Sequence, residues 1–146
     1  MTKFTATDCE LCNPASELVL WQDGFCRVTL VDDSDYPGFC RVILEQHMSE
    51  MTDLSAPERT RLMDAVFAAE AVLREALAPD KINLASLGNV VPHLHWHVIP
   101  RYRDDRHFPK TIWAEAAEPS RRQPGRGAPD ADLLARALKR RLGSPD

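Results

Sequence analysis

The chain has 146 residues, of which 44% are hydrophobic and 27% charged, and a net charge of −4. That length fits one ordinary core and is short for two, and the acidic balance excludes a long nucleic-acid backbone as a general partner while leaving small anionic ligands open. Met1 to Asp8 lacks the apolar stretch of a signal peptide and no run approaches membrane-spanning length, so the expectation is a cytoplasmic protein without a membrane partner. In a reducing compartment Cys9, Cys12, Cys26 and Cys40 are expected as thiols or thiolates.

Leu18 to Trp21 reads as a short strand, Asp23-Gly24 as a turn, and Phe25 to Val31 as the second strand of a hairpin. The acidic loop Asp32 to Gly38 interrupts the meander, and Phe39 to Leu44 resumes it, with His47 just past the strand end. Cys26 and Cys40 lie in these apolar stretches, where a buried thiol acts as a small hydrophobe. Ser55 and Glu58 have capping-box spacing, and Pro57 suits a first helical turn. Leu62, Val66, Ala69, Leu73 and Leu77 then make an apolar stripe, predicting a helix from about Ala56 to Ala78. Lys81 to Leu87 reads as a strand, Gly88-Asn89 as a turn or bulge, and Val91 to Ile99 as a further strand. Pro92 cannot donate to a ladder, so a strand start or bulge is expected there. Arg103 to His107 is highly charged, and Glu118 to Pro129 is rich in Pro, Gly and Arg without apolar periodicity, as in an extended arm or loop. Arg121, Arg122 and Arg126 in that stretch read first as a solvated segment and second as phosphate contacts. Asp130 to Leu142 recovers helical spacing through Leu134, Leu138 and Leu142.

Two motifs carry chemistry. His93, His95 and His97 recur at every second position, which in a strand points all three to one face and leaves the other apolar. Each ring has two nitrogens to satisfy, so imidazoles in register read as chemistry before packing; a solvent-facing strand is the plainer alternative. At about 3.3 Å per residue the outer pair stands about 13 Å apart, too far to share a metal held at about 2.1 Å, so the histidines are expected to divide their labour. Cys9-Glu10-Leu11-Cys12 offers two soft donors at a spacing that suits tetrahedral zinc; a redox pair or two inert thiols compete with that reading.

The run His93-Leu94-His95-Trp96-His97-Val98-Ile99, extended upstream through Leu87 to Pro92 and downstream through Pro100-Arg101, resembles the signature of the histidine triad (HIT) family of nucleotide hydrolases and transferases. It is most similar to the bacterial branch resembling diadenosine polyphosphate hydrolases, and the resemblance covers Cys9 to about Arg101. It implies an α+β, HIT-like fold with a mainly antiparallel sheet, one long helix and a C-terminal helix or arm. Residues 1–110 would form the HIT domain with its N-terminal zinc-binding segment, and 111–146 the C-terminal arm and helix. It also implies a structural zinc on Cys9, Cys12, His47 and His93, with no catalytic cofactor.

By the same resemblance His95 is the nucleophile that attacks the α-phosphorus of a small-molecule nucleotide, forming a nucleotidyl-histidine, and His97 positions phosphate or supports that network. Asn89 and Asn83 fall near amides that bind phosphate in the family. Asp32 or Asp33 falls near a residue that binds ribose hydroxyls, against the plainer reading of a solvent-facing loop acid. A homodimer is the family's habit. Two positions depart from the pattern: Phe39 stands where a histidine follows Pro-Gly, and Val90 where a serine or threonine contacts the leaving group. Losing polar contacts to developing charge can cost several kcal/mol of transition-state stabilisation. The resemblance implies a nucleotidyl hydrolase or transferase acting on a nucleoside phosphoramidate, a dinucleoside polyphosphate or a similar nucleotide conjugate, with a nucleotide sensor or scaffold of little turnover as the alternative.

Overall fold

The computed structural model describes residues 5–116 and 125–144. Five antiparallel strands, β1 (Leu18–Gln22), β2 (Cys26–Leu30), β3 (Cys40–Leu44), β4 (Lys81–Ala85) and β5 (His95–Arg101), form one sheet in the order β1-β2-β3-β5-β4. Helices α1 (Ala56–Leu77) and α2 (Ala131–Leu142) complete the expected α+β architecture. Among the described residues no helix is long and apolar enough to cross a membrane.

Local signals set these elements. Asp23 Oδ1 accepts the N–H groups of Phe25 and Cys26, and Gly24 takes φ +79°, closing the β1–β2 hairpin. Ser55 and Glu58 form the anticipated capping box, each side chain accepting the other's backbone N–H, and Pro57 occupies the first turn of α1. Leu62, Val66, Ala69 and Leu73 bury their stripe on one sheet face against Cys26, Val28, Cys40, Val42, Leu44 and Val98. Leu134 and Leu138 of α2 enter the same core, and Trp21 Nε1 donates to Gly143 O at 2.9 Å. Cys26 and Cys40 are buried there as small hydrophobes.

The expected triad strand begins later than its alternation implies. Pro92 offers no N–H, and the His93 N–H turns back to Val91 O at 2.8 Å, so the ladder starts at His95. Only His95 and His97 are strand residues, and His93 lies in the bend before them.

The opposite sheet face carries Arg27 and Thr29 of β2, Arg41 and Ile43 of β3, His95, His97, Ile99 and Arg101 of β5, and Asn83 of β4. Two loops cover it. Tyr36 and Phe39 pack with Ile99, and the segment after β5 folds back to bring Trp113 onto His97. That segment is fastened by Arg101 and Asp105, whose carboxylate accepts from Arg101 Nε at 2.7 Å and from the backbone N–H groups of Tyr102, His107 and Phe108. The charged run Arg103 to His107 thus contains a fully buried acid. Gly38, at φ +91°, lies so close to α1 that a Cβ would stand 2.4 Å from Leu77 Cδ1.

Candidate functional site

Four side chains from distant parts of the chain converge in front of β5. Cys9 and Cys12 come from the N-terminal segment, His47 from just beyond β3, and His93 from the bend after Pro92. One ligand atom from each lies within 4.8 Å of every other. His47 Nδ1 and His93 Nδ1 are 3.2 Å apart, Cys12 Sγ lies 3.3 and 3.4 Å from them, and Cys9 Sγ 3.4 Å from His93 Nδ1.

Those separations match a metal tetrahedron. Bond lengths of about 2.1 Å to nitrogen and about 2.3 Å to sulfur give tetrahedral edges of about 3.4 to 3.8 Å, and the four separations of 3.2 to 3.4 Å lie at or slightly below the short end of that range. His93 Nε2–H donates to Leu44 O at 2.6 Å, which assigns the proton to Nε2 and leaves Nδ1 as a donor atom facing the sulfurs. Burial holds the His93 imidazole below its ordinary value, and hence neutral. Two thiols and two imidazoles make a soft donor set that could hold a metal ion with four protein ligands.

The second group is His95 with His97, both buried, their ring centroids 4.9 Å apart and nearly perpendicular. His95 Nδ1 hydrogen-bonds the carbonyl oxygen of His93, so Nδ1 carries the proton and Nε2 carries the lone pair. Burial pushes the His95 imidazole down, outweighing the His93 carbonyl that pulls it up. Burial, then His95 and Arg41, bring His97 down to about 4. Phe39 and Trp113 flank the His97 ring at 5.6 and 5.0 Å. Ser86 Oγ donates to His95 O at 2.8 Å, a contact that no sequence motif marked.

Asp32 and Asp33 line a cavity of about 760 Å³ together with Thr29, Val31, Gly38 and Arg41; Arg126 and Pro129 form part of its wall. Asp33 Oδ1 also accepts the Asp35 N–H at 2.9 Å. Asn83 is on the histidine face, but its Oδ1 accepts from Arg101 Nη1 at 2.8 Å, which leaves its amide N–H groups for a ligand. Asn89 is exposed in the loop before β5, and its side chain hydrogen-bonds none of the described residues. The structure thus gathers the four metal-ligand candidates at one point, the two strand histidines beside them, and the two loop acids at the cavity. Asn83 shares the histidine face through its bond to Arg101, and Asn89 stands apart in the exposed loop. Val90 is 88% exposed, and Arg121 and Arg122 lie outside the described residues. Arg126 pairs with Asp104 at 2.9 Å and stacks on Tyr102.

Comparison with solved structures returns histidine triad proteins. One from Bradyrhizobium japonicum is 28% identical, with 86% of this chain and 90% of that one covered and a TM-score of 0.66. One from Marinobacter aquaeolei is 26% identical, with 87% and 92% covered and a TM-score of 0.69. A zinc-bound family protein from Mycobacterium smegmatis, 21% identical, shares the fold over 94% and 95% of the two chains with a TM-score of 0.56. Among curated proteins none matches. The family model of the HIT domain matches residues 14–104, so the chain belongs to the HIT domain family.

Proposed function

We propose that this protein is a nucleotide hydrolase or nucleotidyl transferase that cleaves a phosphoanhydride or phosphoramidate at the α-phosphate through a nucleotidyl-histidine on His95. The single observation that carries this reading is the His95 Nδ1 bond to the His93 carbonyl, which directs the lone pair of a neutral imidazole to Nε2. Nε2 attacks the α-phosphorus, and the bond to the leaving group breaks with its electron pair. Water or an acceptor alcohol or amine then displaces the histidine, which regains its starting state. His97, neutral and beside His95, positions phosphate or supports this network.

Cys9, Cys12, His47 and His93 would hold a structural zinc. Held by these four residues, a zinc ion would cross-link the N-terminal segment to the bend before β5 in a structural role. His93 joins the two parts of the site: its ring is a ligand, and its carbonyl orients the nucleophile. In this reading Asp32 or Asp33 takes the ribose hydroxyls, and Asn89 and Asn83 take phosphate oxygens through their amides. The substrate is a small-molecule nucleotide such as a diadenosine polyphosphate or adenosine phosphoramidate, handled by a cytoplasmic homodimer.

Phe39, 4% exposed and packed on His97, favours a second reading, a nucleotide sensor with little turnover, because the position holds no proton donor. Chromatography of nucleoside monophosphate released from both substrate classes, with the native chain and His95→Ala, separates the two. Release that depends on His95 supports the enzyme. Nucleotide binding without release supports the sensor.

A further inference from the structure

Three arginines stand on the histidine face of the sheet: Arg27, Arg41 and Arg101. Two are satisfied within the fold. Arg27 bonds Glu17 through Nε and Nη2, Glu45 through Nη1, and Leu11 O through Nη2. Arg101 bonds Asp105 twice, Asn83 Oδ1 and Lys110 O. Both therefore have structural explanations.

Arg41 has none. Its Nε is buried without a hydrogen-bond partner, and its guanidinium makes no ion pair with a described residue. Its neighbour is the Phe39 ring, 5.8 Å from the guanidinium carbon. A partly buried cation without an internal counter-ion lowers stability, and an apolar side chain would serve the sheet better there. Its location explains its retention: Arg41 lies opposite Thr29 on one side and His97 on the other. It also lines the cavity with Asp32, Asp33 and Thr29. Neither His95 nor His97 lines that cavity, and Arg41 is the cavity residue paired with His97 across the strands.

We propose that Arg41 is a substrate-binding, specificity-determining residue whose guanidinium receives an α-phosphoryl oxygen of a nucleotide lying in the cavity. This rests on the nucleotide reading given above. A planar fork of donors suits a phosphate anion, which supplies both the missing acceptor and the missing charge. The site then distinguishes a nucleoside phosphate from a nucleoside even without the polar groups absent at Phe39 and Val90. The loop acids take the neutral, hydroxyl-bearing part of the ligand, and Arg41 takes the anion.

The test is calorimetric binding of AMP, adenosine and inorganic pyrophosphate to the zinc-loaded full chain, native and with Arg41→Gln or Arg41→Lys, each checked by thermal unfolding. Arg41→Gln is expected to weaken AMP by at least about tenfold and leave adenosine unchanged, with partial recovery in Arg41→Lys. Equal loss for AMP and adenosine, or no loss for either, overturns the assignment. So does equal affinity of the native chain for AMP and adenosine, a result that needs no variant to fold. Pyrophosphate binding lost in Arg41→Gln, with no binding of AMP or adenosine, keeps the anion site and defeats the nucleotide reading. Failure of the native chain to bind either AMP or pyrophosphate defeats both.

Discussion

Replacing Asp105 by alanine removes the acceptor at the centre of the covering segment. The carboxylate takes two bonds from Arg101, at 2.7 and 3.0 Å, and three from backbone N–H groups at 2.7 to 3.1 Å. The Arg101 and Asp105 side chains are 2% and 1% exposed, so water cannot replace what is lost. Arg101 keeps only Asn83 Oδ1 and Lys110 O, neither of them charged. Breaking one partner of such a pair costs about 3–5 kcal/mol, which for a chain of this size lowers the unfolding midpoint by about 10–15 °C. Urea unfolding followed by tryptophan fluorescence measures it. The double variant Arg101→Met/Asp105→Leu should be less destabilised than Asp105→Ala, because no charge is left buried alone. Burial raises the Asp105 carboxyl, but Arg101 and the three N–H groups lower it further, so its net position is below the ordinary value. A depressed carboxyl contributes stability above the unfolded value of about 3.9 and loses it as pH falls through the folded value. The native chain should show that acid loss and the double variant should not. A cost below about 1 kcal/mol, or a double variant no more stable than Asp105→Ala, would refute the reasoning.

Chelation should lower the thermal midpoint and open Cys9 and Cys12 to a thiol reagent. Cys26 and Cys40, buried and pushed up to about 12, should react only after unfolding. The His97 ring should titrate near 4 by NMR, held down by burial, His95 and Arg41. The unfolded chain then takes up that proton first, so native stability should decline as pH falls from about 6.5 through about 4; a midpoint near 6.5 would contradict the geometry. Ser55→Ala should cost about 1 kcal/mol in urea unfolding by uncapping α1, and no measurable loss would remove the capping argument.

The parts legible in the sequence are those encoded locally. Ser55, Pro57 and Glu58 announce α1 within one turn, and Asp23-Gly24 announces its hairpin. The meeting of Cys9 with His93, 84 residues apart, was legible only through family resemblance, because no spacing rule joins them. The alternation of His93, His95 and His97 runs unbroken in sequence, yet Pro92 takes the first out of the ladder and frees its ring for the sulfur pair. Asp105 was hidden in a highly charged run, and its burial follows from a partner on β5. Arg41 belongs to no sequence motif, and only its Nε, buried without a hydrogen-bond partner, marks it. Trp113 lies beyond any motif and reaches His97 because the Arg101–Asp105 pair folds its segment back.

The most direct measurement of the central claim is the stereochemical course at the α-phosphorus, using a nucleotide substrate made chiral there. Attack by His95 followed by a second displacement gives two inversions and net retention. The account predicts retention, and loss of the reaction in His95→Ala. Net inversion would mean direct attack by water or acceptor and would contradict a nucleotidyl-histidine on this chain.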